Sequence, residues 1–159
     1  MKRRVAALVC MLLPTTIVIL TRAEPAVGVT PHLIGRGTYE AFKVKSDNGL
    51  FEFEAEAKPR IDIVVRTHDY AVDSSTGWHT HPGPVFITVT EGALTFYEAD
   101  DPTCTPRVLM TGEGYLDTGR GHLVRNESGR PAKDVTVIVA AEGQSFRDEL
   151  PAPGLFCVF

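Results

Sequence analysis

Apolar positions along this chain recur in short bursts at every second residue. Ile61–Arg66, Val85–Thr90, Ala93–Tyr97, Arg107–Met110, His122–Arg125 and Asp134–Ala140 each alternate or are rich in β-branched residues, with Gly, Pro, Asp and Ser clusters between them. A period of two turns one face of a strand to the core and the other to water. Beyond the N-terminal segment no stretch sustains the 3.6-residue period of an amphipathic helix, and no internal repeat occurs. Glu91-Gly92, between two such runs, predicts a tight hairpin turn, and Asp47-Asn48-Gly49 predicts another. Many short strands punctuated by turns predict an all-β sandwich or barrel. Residues 24–31, with Pro25, Gly28 and Pro31, read as a loose lead-in, and residues 143–159, with Pro151, Pro153 and Gly154, as an irregular tail.

The first residues obey a different pattern. Lys2, Arg3 and Arg4 precede Val5–Leu20, a mostly apolar run broken by Pro14, Thr15 and Thr16, and Thr21-Arg22-Ala23 follows. That is the anatomy of a secretory signal peptide cut after the small residue Ala23. The alternative is an uncleaved anchor, for which the run is short against the roughly 18–20 residues that span a bilayer. The expected location is therefore secreted or cell envelope, with no stable membrane association once the signal is removed. A lipoprotein reading through Cys10 fails because Val9 precedes it and the apolar run continues past it.

Dividing the chain there changes its composition. The 159 residues carry a net charge of −4, but the first 23 hold four bases and no acid, leaving twelve bases against twenty acids, or −8, in residues 24–159. A domain that acidic is a poor partner for nucleic acid or an anionic membrane surface. Of three cysteines, Cys10 leaves with the signal, and Cys104 and Cys157 remain. An even pair in an oxidising compartment predicts a disulfide tying the tail to the body, the alternative being two free thiols. Closing a loop of about 54 residues would stabilise the fold by roughly 4 kcal/mol.

Candidate chemistry concentrates in two places. In Gly77-Trp78-His79-Thr80-His81-Pro82-Gly83-Pro84, two histidines spaced i, i+2 on a strand face the same way and can reach one metal ion. On its own a His-x-His pair is weak evidence. In the second place, Gly112–Asn126, His122 follows a glycine-rich turn and opens a β-branched run, so it can face the interior at a strand start. His68 lies beside Asp69, but adjacent strand residues face opposite ways, so this histidine reads as structural or surface. His32 reads as solvated, and Trp78, Tyr97 and Tyr115 as core or interface aromatics. Nucleophile elbows, P-loops and dinucleotide fingerprints are absent.

Together the two places resemble the cupin superfamily over about residues 60–140. The family's first motif matches Gly77, His79, His81 and Gly92, and its second matches Gly119, His122 and Asn126, with Asp117 where proline is usual. The resemblance implies a double-stranded β-helix, or jelly-roll, barrel over 46–142, preceded by the signal at 1–23 and the lead-in at 24–45 and followed by the tail at 143–159. It also implies a metal-centred pocket and a possible homodimer through β faces. The chain departs from the family at the metal-binding Glu, where Val85 and Phe86 stand. By parity Val85 faces the same way as His79 and His81 and fills the missing ligand's space, unless Pro82-Gly83-Pro84 changes the register.

His79, His81 and His122 then form a set of three neutral imidazoles that suits Zn, Cu, Mn, Ni or Fe, with Asn126 as a donor behind them. The alternative is a site that lost its metal along with its Glu. Two functions follow: a metal-dependent oxygenase or isomerase acting on a small chelating molecule, or a non-catalytic module that binds or stores one. The catalytic residues are not readable from the sequence.

Overall fold

The structure, a computed structural model, describes residues 23–154, 157 and 159. The predicted signal peptide, apart from Ala23, lies outside the described residues. Twelve strands occupy the rest: β1 (Val27–Tyr39), β2 (Phe42–Asp47), β3 (Glu52–Ala57), β4 (Ile61–Ser75), β5 (His79–Thr80), β6 (Val85–Glu91), β7 (Ala93–Glu98), β8 (Arg107–Met110), β9 (Gly114–Asp117), β10 (His122–Arg125), β11 (Ala132–Ala141) and β12 (Asp148–Glu149).

Ten of them pair antiparallel into a nearly closed barrel. One side runs β1-β4-β11-β6-β9 and the other β12-β5-β10-β7-β8, joined where Arg125 pairs with Ser75. Inward side chains at alternate positions fill the middle. Val64, Tyr70, Val85, Ile87, Val89, Leu94, Phe96, Leu109, Tyr115, Val124 and Ile138 form one buried cluster. A smaller cluster of Trp78, Tyr97, Leu123 and Cys157 lies under the tail, packed against Leu150 and Ala152. Of the three aromatics read as core or interface, Tyr115 lies in the larger cluster and Trp78 and Tyr97 in the smaller, and the all-β jelly-roll architecture agrees with the alternating pattern.

Three expectations need correction. Residues 27–39 are not a loose lead-in, because β1 pairs with β4 along its whole length, with irregularities between Val27 and Val29 and between Leu33 and Gly35. Its outer edge is unpaired and most of its side chains are exposed, so the strand tolerates Pro31, Gly35 and Gly37 and shows no alternation to read. The barrel thus begins before residue 46. Glu91-Gly92 is a corner rather than a hairpin turn: β6 pairs with β11 and β9, whereas β7 pairs with β10 and β8. Gly92 turns at φ +75° with Pro131 O 2.9 Å from where a Cβ would stand, so a glycine is needed there. The tail, finally, is only partly irregular, since β12 pairs with β5.

The turn at Asp47-Asn48-Gly49 does close a hairpin, β2–β3, with Asn48 Oδ1 accepting from the amides of Leu50 and Phe51. The predicted bridge is present between Cys104 and Cys157, whose Cα atoms are 5.4 Å apart.

Candidate metal centre

Two strands and the tail converge to build the site. His79 on β5 stands directly opposite His122 on β10, and on its other side β5 pairs with β12, Glu149 opposite His79. His81 follows two residues on, before the chain turns through Pro82-Gly83-Pro84 into β6. All three rings are buried, with centroids 4.3 Å (His79–His122), 5.0 Å (His79–His81) and 5.4 Å (His81–His122) apart. One ligand nitrogen from each lies within 4.8 Å of the others.

Backbone carbonyls choose the tautomers. His79 Nδ1–H donates to Gly77 O at 2.9 Å and His81 Nδ1–H to Phe146 O at 2.5 Å. A carbonyl only accepts, so each Nδ1 carries the proton and each Nε2 keeps its lone pair. His122 Nδ1 faces Arg120 O at 3.5 Å and Asp117 Oδ2 at 3.7 Å, while its buried Nε2 has no hydrogen-bond partner. Burial, reinforced by the neighbouring imidazole His122, drives the His79 pKa far below the ordinary histidine range. Burial also lowers His81, and burial with His81 nearby pushes His122 down to about 3. All three rings are therefore neutral at physiological pH, the form in which imidazole binds a metal.

These residues fit a divalent ion. Three ring nitrogens converge, the far nitrogens of His79 and His81 are held by carbonyls as those of ligating histidines usually are, and the buried Nε2 of His122 otherwise goes unsatisfied.

The other residues singled out in the sequence fall elsewhere. Val85 does face inward and is fully buried, with Phe86 turned out and Glu91 exposed, so β6 offers no carboxylate to the histidines. Val85 belongs to the core cluster, however, and Ile87 is the β6 residue that lines the cavity beside the histidines. Asn126 stands behind no ligand. Its Nδ2 donates to the carbonyls of Tyr70 (3.3 Å), Ala71 (3.0 Å) and Arg130 (2.7 Å), and its Oδ1 accepts from Ser128 N and Oγ. That buried amide ties the later part of β4 to the loop after β10. Asp117, cross-strand from Val85, sits beneath His122, and its Oδ1 accepts from Gly119 N at 2.9 Å.

The charged residues Arg66, Asp134 and, from the tail, Arg147 on the cavity wall escaped the sequence reading, and His68, read there as structural or surface, lines the cavity with them. His68 Nδ1 lies 2.7 Å from Asp134 Oδ1, and Asp134 also accepts from Tyr70 Oη at 2.8 Å and Thr136 Oγ1 at 3.2 Å. Asp69, as parity demands, faces the other way and meets His32 on the surface at 2.9 Å. A signal existed: counting by twos from Val64 reaches Arg66, His68 and Tyr70, but only for a strand that runs past residue 66. The cavity these groups enclose with the three histidines has a volume of about 130 Å³.

The sequence matches no protein-family model and no curated protein. Among solved structures, the chain is similar to the polyketide cyclase RemF of Streptomyces resistomycificus, with 16% identity, a TM-score of 0.50 and 79% of each chain covered. It is also similar to Rru_A2000 of Rhodospirillum rubrum, a cupin-2 domain, with 13% identity, a TM-score of 0.52, and 79% of this chain and 67% of that one covered. At such identities the likeness bears on architecture alone. With two five-stranded sides closed antiparallel around an inward three-histidine cluster, this chain has the cupin fold.

Proposed function

We propose that His79, His81 and His122 hold one divalent metal ion and that the cavity above them binds a small oxygen-donor molecule for chemistry of the oxygenase or isomerase type. The observation that carries this reading is the unsatisfied, fully buried Nε2 of His122, converging with two imidazoles whose protons are committed to carbonyls. Once bound, an ion there supplies Lewis acidity, because three neutral ligands leave its 2+ charge uncompensated. The chain's own groups supply the rest. Ile87, Val124 and Ile138 give the cavity apolar wall. His68, its Nδ1 held by the buried Asp134 carboxylate, is oriented as a general base must be, and it supplies the proton acceptor that no carboxylate of β6 provides.

A non-catalytic binding module is the second reading, and it is favoured only if His68 proves dispensable. The disulfide supports an extracytoplasmic location, where such bridges persist. Elemental analysis of protein purified without added metal, followed by Co2+ and Zn2+ titration, tests the centre. We expect one ion per chain, and an affinity at least about a hundredfold lower in His122→Ala, since a lost ligand also strands the other two. No uptake of any divalent ion, or unchanged affinity in that variant, would overturn the proposal.

A further inference from the structure

The metal centre leaves one conspicuous group on the cavity wall without a task. Two guanidinium groups line the cavity, Arg66 from β4 and Arg147 from the tail. Arg147 is engaged: its Nε and Nη2 donate to Glu149 at 2.6 and 2.8 Å, and Nη2 also donates to Thr76 O at 2.6 Å. Arg66 is not. Among the described residues, none gives it a hydrogen bond or an ion pair, and its Cζ stands 5.1 Å from the centroid of the Phe146 ring. Among the described residues, Asp134 is the single carboxylate lining this cavity, and its oxygens already accept from His68, Tyr70 and Thr136.

A guanidinium carries five N–H donors in a planar fork and cannot lose its charge, so leaving it half-buried without an acceptor is costly unless something in the cavity accepts. Burial and the nearby Arg147 charge lower the Arg66 pKa, the mark of a cation short of anions. Phe146 couples this group to the three histidines: its ring lies beneath Arg66, while its carbonyl accepts the hydrogen bond from His81 Nδ1–H.

We propose that Arg66 anchors the carboxylate of an organic acid whose second oxygen donor reaches the three-histidine centre. This rests on the metal reading for its second point of attachment and on Arg66 alone for the first. A carboxylate matches the guanidinium fork with two parallel hydrogen bonds, which a neutral oxygen ligand cannot do. Size narrows the class further. The cavity, about 130 Å³ and open on one side, suits a short-chained acid such as a 2-hydroxy or 2-oxo acid.

Calorimetric titration of the full chain, with and without Co2+, tests this. The probes are lactate, propane-1,2-diol as its carboxylate-free counterpart, and inorganic phosphate. Wild type loaded with Co2+ should bind lactate more tightly than the diol or phosphate. Arg66→Gln should weaken lactate binding at least about tenfold, as expected for a lost charged hydrogen-bond pair, while diol binding is unchanged and Co2+ binding is unchanged or tighter. Arg66→Lys, which keeps the charge and loses the fork, should fall between the two. Equal lactate affinity in wild type and Arg66→Gln overturns the anchor, as does the absence of lactate binding or a preference for diol or phosphate. If wild type takes up no Co2+, the metal centre fails separately. The metal-free titration then decides the anchor: Arg66-dependent lactate binding upholds it, and its absence overturns it.

Discussion

Breaking the bridge between Cys104 and Cys157 should lower the stability of the fold by about 4 kcal/mol and loosen the strand that carries His79. The bridged residues are 53 apart in sequence, and releasing a loop of that length returns about 4 kcal/mol of chain entropy to the unfolded state. The damage has a definite path in the folded state. The tail holds β5 through the pairing of Asp148 and Glu149 with Thr80 and His79, through the Leu150 amide on Trp78 O at 2.9 Å, and through the Phe146 carbonyl on His81. Cys157 is almost fully buried among Trp78, Tyr97 and Leu123, so alanine is the better replacement, because a serine hydroxyl would add a desolvation cost of its own. The assay is urea unfolding of wild type against Cys104→Ala/Cys157→Ala. With a slope of about 2 kcal/mol per molar urea, the midpoint should fall by about 2 M. Hydrogen exchange should also speed at the Leu150 amide well before global unfolding. A midpoint within about 0.5 M of wild type, at unchanged slope, would refute the reasoning and mean that the tail docks without the bridge.

Other perturbations separate architecture from chemistry. Asn126→Asp puts a carboxylate oxygen against three carbonyls that now receive Nδ2–H bonds, and should destabilise by about 3 kcal/mol or more in urea unfolding. Its metal affinity should stay near that of wild type, whereas a large loss of affinity would return Asn126 to the metal site. The Asp62 carboxylate accepts from Arg36, from Thr38 Oγ1 at 2.7 Å and from Gly143 N at 2.9 Å, and the Arg36 guanidinium first, then these donors, hold its pKa well below the usual range. A depressed folded pKa stabilises above the unfolded value of about 3.9 and is lost as pH falls below it. Wild type should therefore lose more stability than Asp62→Asn between about pH 5 and pH 2, and parallel curves would count against the assignment.

How much could be read from residues alone differs from strand to strand. β10 coincides with the predicted His122–Arg125, because Leu123 and Val124 are buried on both faces and the run is bounded by a glycine turn. β4 was foreseen only to Arg66, yet runs to Ser75. Its middle, Thr67-His68-Asp69-Tyr70, is polar at both parities because one face lines a polar cavity and the other meets water, so hydrophobic alternation vanishes where the strand lines the cavity. β1 is invisible for the complementary reason that it is an edge exposed on both faces.

The histidine trio was legible because the i, i+2 spacing of His79 and His81 and the glycine turn before His122 are local features, which the resemblance to the cupin superfamily then joined into one set. Arg66, His68 and Asp134 were not, since their meeting depends on β4 lying between β1 and β11 with His68 opposite Asp134. Periodicity along the chain accounts for the all-β class, and residue identity for the expected cysteine pair, whereas the three inward imidazoles and the missing carboxylate at position 85 came through the resemblance to the cupin superfamily. That Asn126 serves a loop, that the tail braces the strand of His79, and that Arg66 and Arg147 line one cavity with the three histidines became visible only in three dimensions. Each of these is a relation between residues distant in sequence, and such relations are specified by strand register rather than by local pattern.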